Sequence, residues 1–598
     1  MEEQSAQQGT LKSILKRDGR LVSFNTTKIA EAIFFAAQSV GGDDRNLALN
    51  LAQSVIEIVE KKFTSKTPSV EDVQNAVEKV LMESGHVRTA KAFILYRYKK
   101  AEERNRRALI LGAKSPGENC SFSDEALKIL ERRYLHKDNT GNLIETPRQM
   151  LERVAINVAK GDSLYGATED EVQETSTKFF DIMASLKFLP NSPTLMMAGE
   201  KIQQLSACFV LPVGDTMESI FSTLHDAAVI HQRGAGTGFS FSQIRPRNDP
   251  VKRHLGVASG PVAFMNVFDK ALDVVKQGGV RPGANMAVLR VDHPDIIRFI
   301  ECKRNKTSMK NFNVSVAVTD RFMKAVEEDR EYFVKNPRTG KYFGKLYARD
   351  VFSVLTQNAW KTGDPGLIFL DEINRKHPAK HLGEIETTNQ CGEAPLLANE
   401  SCGLGAIDIN KFIKDGGIDW DSLREIVHLA VHFLDNSIDV NTYPNQKTED
   451  ATKKTRKFGI GLMGFADLLM NLNIKYDSDE GLEFADKLMK FIKDESYEKS
   501  QQLAEKRGVC PAWEGSEHHR IGRKMRNMTT IALSPTGTRS IIADTSAGCE
   551  PAFAIAYQKT VFSSNQLVYI NKAFEKVARE RGFYSPELIH KVAMAGGI

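Results

Sequence analysis

Apolar and polar positions follow two different rhythms along this chain. From residue 11 to about 105 the rhythm is helical. Two short β-type runs at 11–22 flank Arg17-Asp18-Gly19-Arg20, an Asp-Gly hairpin signal. Ile29, Ala32, Ile33 and Ala36 then share one face of a helix expected at 28–39, opened by Asn25 or Thr26. Further helices are predicted at 46–63, at 69–84 behind the capping pair Ser69 and Asp72, and at 87–104. The basic run 96–107 reads as a boundary and a solvated face. Residues 121–189 read as mostly helical, with a polar linker at 137–142. From 190 onward short apolar runs (312–318, 366–369, 529–533) alternate with helical periods (217–230, 263–276, 321–327, 422–435, 481–507). That alternation predicts an α/β architecture with its chemistry on loops at strand ends.

Composition narrows the class. A chain of 598 residues exceeds one ordinary domain. With 41% hydrophobic and 26% charged residues it reads as globular, and a net charge of +5 favours neither a nucleic-acid surface nor a membrane patch. Apolar stretches such as 460–470 are too broken to span a bilayer, and the polar residues 1–10 do not form a signal peptide. The seven cysteines (Cys120, Cys208, Cys302, Cys391, Cys402, Cys510, Cys549) are odd in number, contain no Cys-x-x-Cys and show no zinc spacing with histidine. A cytoplasmic enzyme with a few working thiols, and no resident metal site, is expected.

The chemistry concentrates in Thr388-Asn389-Gln390-Cys391-Gly392-Glu393, with Cys402 eleven positions beyond Cys391. A Gly/Asn/Pro-rich loop can bring a thiol and a carboxylate into one cleft, where the carboxylate serves as acid or base. Taken singly, Cys208 reads as a buried strand thiol and Cys402 as a loop-end thiol; only the combination points to thiol or one-electron chemistry. Ser534-Pro535-Thr536-Gly537-Thr538 follows an apolar run and resembles either a phosphate cradle or a plain helix cap. Residues 190–194 form a similar hydroxyl-rich stretch, and 278–285 a glycine-rich loop near possible ligands. The glycines of 231–238 match neither Rossmann nor P-loop spacing. His293, beside Pro294, reads as a turn residue.

Six ordered motifs then carry a resemblance over nearly the whole chain: PNSPTLMMAG (190–199), SACFVLPVGDT (206–216), GGVRPGANMAVLRVDHPDI (278–296), NQCGEAPLLANESCGL (389–404), KFGIGLMGFADL (457–468) and SPTGTRSIIADTSAGCEP (534–551). The chain resembles the catalytic subunit of ribonucleotide reductase, most closely the adenosylcobalamin-dependent class that acts on ribonucleoside diphosphates in deoxyribonucleotide and DNA synthesis. The resemblance implies an ATP-cone at 11–105, a helical region at 106–189, and at 190–598 a ten-stranded α/β barrel of two antiparallel halves around a loop bearing the radical cysteine. It implies that cobalt–carbon homolysis makes Cys391 a thiyl radical that takes the ribose 3′-hydrogen. Glu393 then accepts the 3′-hydroxyl proton, Asn389 holds the hydroxyls, and Cys208 with Cys402 end as a disulfide. By the same resemblance Ser192, Ser534, Thr536, Gly537 and Thr538 hold the substrate. Asp215, Arg245 and Arg281 form the dNTP specificity site acting on the 278–285 loop, and Lys16, Arg17 and Lys28 lie at the ATP/dATP site. A homodimer and a thioredoxin-like or dithiol reductant are implied too.

The sequence departs from the family pattern at Gln390, commonly Pro, and at Pro282, usually Arg or Gly. The family pattern continues into a last barrel segment and a tail with a re-reducing Cys pair, so a fragment or a separate C-terminal half is expected. Two other readings stand beside this one: a radical supplied by a separate metal-containing subunit, and a nucleotide-binding regulator without catalysis.

Overall fold

The computed structural model describes residues 13–16, 20–64, 66–111, 122–251, 256–277, 281–305, 308–561 and 565–595. The chain divides into two compact units, Met1–Ala113 and Lys114–Ile598. The expected turn at 17–19, with Arg17, and the first part of the 278–285 loop lie outside the described residues, as does the side chain of Arg281.

In the first unit β1 (Ser13–Leu15) and β2 (Leu21–Ser23) pair antiparallel, with Ile14 opposite Val22. Four helices follow: α1 (Thr27–Gln38), α2 (Arg45–Lys62), α3 (Val70–Glu83) and α4 (Val87–Leu111). Of the two expected caps of α1, Asn25 acts, accepting the Lys28 N–H at 3.4 Å, whereas the Thr26 side chain makes no capping bond. Ser69 and Asp72 form the reciprocal capping box of α3. Ile33, Val55, Val59, Val77 and Leu81 fill the core between the helices. Lys16 and Lys28 are exposed.

The second unit begins with helices α5 (Asp124–Arg133), α6 (Pro147–Ala159) and α7 (Glu169–Ala184). Next come β3 (Phe188–Pro190), α8 (Ser192–Met197), β4 (Cys208–Pro212), α9 (Met217–Gln232), β5 (Gly236–Ser240) and α10 (Pro261–Asp273). They lead into β6 (Asn285–Arg290), β7 (Phe312–Val318), α11 (Ala348–Thr362) and β8 (Gly366–Phe369). After the short pair β9 (Thr387–Thr388) and β10 (Pro395–Leu396) come β11 (Ser401–Asp408), α12 (Trp420–Val440), β12 (Phe458–Met463), α13 (Asp479–Arg507) and α14 (Gly537–Ala543).

One sheet of eight strands organises the unit, in the order β8-β7-β6-β5-β4-β11-β12, with β3 also on β11. The strands β4 to β8 are mutually parallel; β11 runs antiparallel to β4 and parallel to β12. Two parallel halves therefore meet back to back at β4 and β11. Every residue of β11 and β12 is buried, as expected of strands covered on both faces. The expected strand at 529–533 is not a regular strand. It lies extended beside β12 through a single parallel bridge, Ile460 to Ile531, with Ile460 N–H donating to the Thr530 carbonyl at 2.8 Å.

Candidate active site

The segment between β9 and β10 is a finger that rises over the sheet. Thr387–Leu396 and Thr388–Pro395 pair at its base, the Asn389 N–H donates to the Ala394 carbonyl at 3.1 Å, and Gly392 turns the tip with φ of +90°, a backbone region that suits glycine. Cys391 at the tip is exposed. The finger rests on β5, whose small residues leave room for it. A Cβ built at Gly238 would fall inside the van der Waals radius of the Thr388 carbonyl oxygen, and one at Gly236 would meet the Gln390 side chain. Gly236 and Gly238 are thus a seat for the finger. Gln390, at the position usually Pro, reaches the Ala207 carbonyl at 3.4 Å, and its own carbonyl accepts from Asn313 at 2.7 Å.

Beneath the finger the two halves of the sheet meet with Cys402 directly opposite Cys208. Side chains opposed across strands stand within contact of each other. Both are buried thiols, and with Val210, Ala394, Leu396, Leu404 and Ala532 they form one cluster. Burial, then the charge of Glu393, pushes both thiols well above the ordinary range, so each rests protonated. Asn389 is fully buried, donating to Cys208 Sγ at 2.9 Å and accepting from the Ala394 N–H at 3.0 Å. Glu393 Oε1 lies 4.0 Å from Cys208 Sγ, and its buried Oε2 has no hydrogen-bond partner. Burial raises the Glu393 pKa, against the opposing pull of Asn389 and Arg539. The structure thus brings together all five thiol-site residues read from the sequence: Cys391 exposed, and Glu393, Asn389, Cys208 and Cys402 within.

The hydroxyl-rich segments converge on one another. Ser192 Oγ is 2.7 Å from Tyr134 Oη, Ser534 Oγ accepts from Arg539 at 2.6 Å, and Thr538 Oγ1 accepts from Arg133 at 3.4 Å. Thr536 adopts a left-handed backbone and turns its hydroxyl to the Gly548 N–H at 2.7 Å, while Gly537 is exposed. Asp215 and Arg245 pair with each other at 2.7 Å. The end of the 278–285 loop is tied into the sheet: Asn285 Oδ1 accepts from Thr237 at 2.7 Å, and Thr237 contacts His231 at 3.0 Å. His293 has a turn role, with Nε2 on the Ile244 carbonyl at 2.9 Å and Nδ1 accepting the Asp295 N–H at 3.0 Å.

Sequence reading missed Tyr134, Arg133, Arg539, and the buried pair Lys457–Glu400 at 2.7 Å, whose charges both act on Cys402. Arg539 reaches Ser534 along one short turn, but Arg133 meets Thr538 across more than 400 residues, which no local pattern signals. A cavity of about 280 Å³ reaches Glu393 and Cys402 and is also lined by Lys457 and His377. A larger one, about 710 Å³, is lined by Gly537, Ser540 and Ile541 of α14 together with Asp467, Asp544 and Phe553. The smaller is the one that touches the thiol chemistry. Elsewhere His428, Glu495 and Glu498 bring ligand-type atoms within 4.8 Å of one another, but Glu495 is already engaged by Arg424 and His428.

Known families match this architecture segment by segment. The model described as "ATP cone domain" matches residues 12–102, "Ribonucleotide reductase, all-alpha domain" matches 120–203, and "Ribonucleotide reductase, barrel domain" matches 206–597. The chain is 45% identical to a protein of Thermoplasma acidophilum named vitamin B12-dependent ribonucleoside-diphosphate reductase, over 98% of this chain and 84% of the relative. It is 42% identical to the protein of that name from Mycobacterium tuberculosis H37Rv, over 98% and 81%. It is 28% identical to the ribonucleoside-diphosphate reductase large subunit of vaccinia virus, over 80% and 68%.

Proposed function

The chain belongs to the ribonucleotide reductase family, and we propose that it reduces ribonucleoside diphosphates through a radical carried on Cys391. The activity, ribonucleoside-diphosphate reduction dependent on vitamin B12, is that of its 42–45% identical relatives. One observation carries the residue roles: an exposed thiol stands on a finger above two protonated thiols held opposite each other, with a desolvated carboxylate between.

That arrangement fits adenosylcobalamin. A bulky radical donor can approach Cys391 from outside, whereas Cys208 and Cys402 are buried. When bound, the cofactor supplies the one-electron oxidation; the chain's residues do the rest. Cys391 takes the 3′-hydrogen of the ribose as an atom and later returns one. Glu393 accepts the proton of the 3′-hydroxyl, a role its ionised form serves. Asn389 exchanges its contact with Cys208 for the substrate hydroxyls. The 2′-oxygen leaves as water, a C–H bond replaces the C–O bond, and Cys208 and Cys402 give up two protons and two electrons to become a disulfide. A dithiol reductant restores the pair. Ser192 and the 534–538 segment hold the phosphates. Asp215, Arg245 and Arg281 read a dNTP effector across a homodimer contact, and the ATP-cone binds ATP or dATP near Lys16, Arg17 and Lys28. No helix among the described residues is long and apolar enough to cross a membrane.

The test is formation of dCDP from CDP with adenosylcobalamin and dithiothreitol. Product in that mixture, absent with Cys391→Ser, supports the reading. Product only when a radical-generating metal subunit is added moves the radical source to that subunit. Effector binding without product under either condition makes the chain a regulator.

A further inference from the structure

The smaller cavity runs from the surface to one buried member of the thiol pair. At its outer end Glu372 and Lys376, on the short helix Leu370–Lys376, pair at 2.9 Å with side chains 42% and 80% exposed. At its inner end lies Cys402, 3% exposed. Ile373, Leu396, Phe458 and Ile531 give it apolar walls. Cys208 does not line it, and neither do Ser192, Ser534 or Thr538. The cavity therefore meets the pair at Cys402, apart from the hydroxyl-rich segments.

Three buried groups around this cavity lack partners. His377 is 3% exposed, and its Nε2 has no hydrogen-bond partner among the described residues. The same holds for Glu393 Oε2. Lys457, 1% exposed, donates to Glu400 at 2.7 Å, and no second acceptor for its other hydrogens is in reach among the described residues. Folded proteins seldom leave buried polar groups unsatisfied, and several around one cavity mark a place where something binds.

The charges narrow what that is. Lys457 is already matched by Glu400, and Glu393 adds a carboxyl, so neither a cation nor an anion is matched along the whole cavity. His377 is held neutral, its pKa lowered to about 3 chiefly by burial and then by Lys457. Neutral thiol or hydroxyl groups can serve all three. At about 280 Å³ the cavity is close to the smallest small-molecule sites, about 300 Å³, and it ends on a sulfur.

We propose that this cavity is a port through which a small dithiol reaches the oxidised Cys208–Cys402 pair from the side away from the substrate, with Cys402 as the sulfur attacked and Lys457 and His377 as positioning residues. The proposal rests on the reading of Cys208 and Cys402 as the pair that ends as a disulfide. One thiol of the reductant, ionised against the spare hydrogens of Lys457, attacks Cys402 Sγ. The Cys208–Cys402 bond breaks and Cys208 leaves as a thiolate beside Asn389, which already donates to that sulfur at 2.9 Å. The second thiol then attacks the reductant's own sulfur in the mixed disulfide, and Cys402 leaves beside Lys457, whose charge favours its thiolate. Two electrons pass to the pair, the reductant becomes a disulfide, and the two protons it loses are regained by Cys208 and Cys402.

The experiment oxidises the full chain with diamide, maps the disulfide by mass spectrometry, and times its reduction by dithiothreitol with and without saturating CDP. In the wild type the rate is expected to be the same with CDP as without. Ile373→Trp, which fills the cavity near its mouth, is expected to slow reduction by about tenfold or more while alkylation of the exposed Cys391 keeps its rate. Lys457→Met combined with Glu400→Gln, which removes both charges together, is expected to slow it by about tenfold through a smaller thiolate fraction. Protection of the disulfide by CDP overturns the proposal, because the reductant then enters on the substrate side. A wild-type rate in Ile373→Trp also overturns it. If diamide forms no Cys208–Cys402 bond, the reading of that pair fails instead. If Ile373→Trp does not fold, Thr529→Phe at the same cavity decides by the same rates.

Discussion

Asp435 and Arg539 are both buried charges in the barrel unit, yet their surroundings are opposites. Around Asp435, Arg456, Arg507 and Arg526 converge, and Asn527 donates to the same carboxylate at 2.9 Å. Asp439 pairs with Arg456, and Asp162 with Arg507 and His432. Three carboxylates thus meet three guanidiniums, and the cluster ties the segment after α6 to α12 and α13. Around Arg539 the charge is unmatched, Glu393 Oε2 lacks a partner, and two thiols sit protonated. A neutralised buried network holds a fold together, whereas an incomplete one is what a site looks like before its ligand arrives.

The sharpest separation of the two comes from Cys391. Its side chain is exposed, so Cys391→Ser is expected to leave the melting temperature and CDP binding unchanged. Turnover falls by on the order of 10⁴-fold or more, the scale of losing the central member of a catalytic unit. Retained turnover sinks the radical assignment.

Asp435→Ala should do the reverse. It leaves three guanidiniums facing two carboxylates, and breaking such a buried pair costs about 3–5 kcal/mol. Urea unfolding measures this loss; under about 1 kcal/mol, the figure for exposed pairs, would show that the cluster contributes little to the fold. Turnover of the molecules that remain folded is expected to stay near wild type.

How far either region was legible in the sequence follows from the range of the contacts. The finger was legible because its thiol, carboxylate and glycine lie within a few residues, and the caps of α3 because Ser69 and Asp72 are three apart. The strand expected at 529–533 was apolar enough to read as one, but only Ile531 forms a bridge, with Ile460. Gly236 and Gly238 did not show their purpose, since what they make room for comes from residues 388–390. The Asp435 cluster was invisible for the same reason: its arginines come from positions 456, 507 and 526, and no periodicity links them. Roles carried by local chemistry were therefore read from the chain, and roles carried by packing had to wait for the fold.

Gly238→Ala tests the seat of the finger. The added Cβ collides with the Thr388 carbonyl, and overpacking of this kind typically costs about 1–3 kcal/mol. The strand is held by its neighbours on both sides, so the finger yields first. A fall in kcat of about tenfold to a hundredfold is expected, with the Asp435 cluster and urea stability less affected. A stability loss with full kcat in the folded fraction would show instead that the strand had moved.

The smallest effect is in pH dependence, and its sign differs between the regions. Burial raises the Glu393 pKa, and the proposed base works ionised, so turnover should fall on acidification at a pH above the ordinary glutamate value of 4.5. Asp435 is pushed up by burial but held lower still by Arg456, Arg526 and Arg507. Its folded pKa is therefore below the ordinary aspartate value of 3.8, so its contribution to stability is intact above that value and is lost only as the pH falls below it. Buried His231 and His377, lowered to about 4 and about 3 chiefly by burial, bind protons more readily when unfolded, so they erode stability from about pH 6.5 downward without titrating in the folded state until much lower. Along that acid limb turnover should thus decline reversibly while near-ultraviolet circular dichroism stays constant. If activity and tertiary signal were lost together, the acid limb would belong to unfolding and not to Glu393.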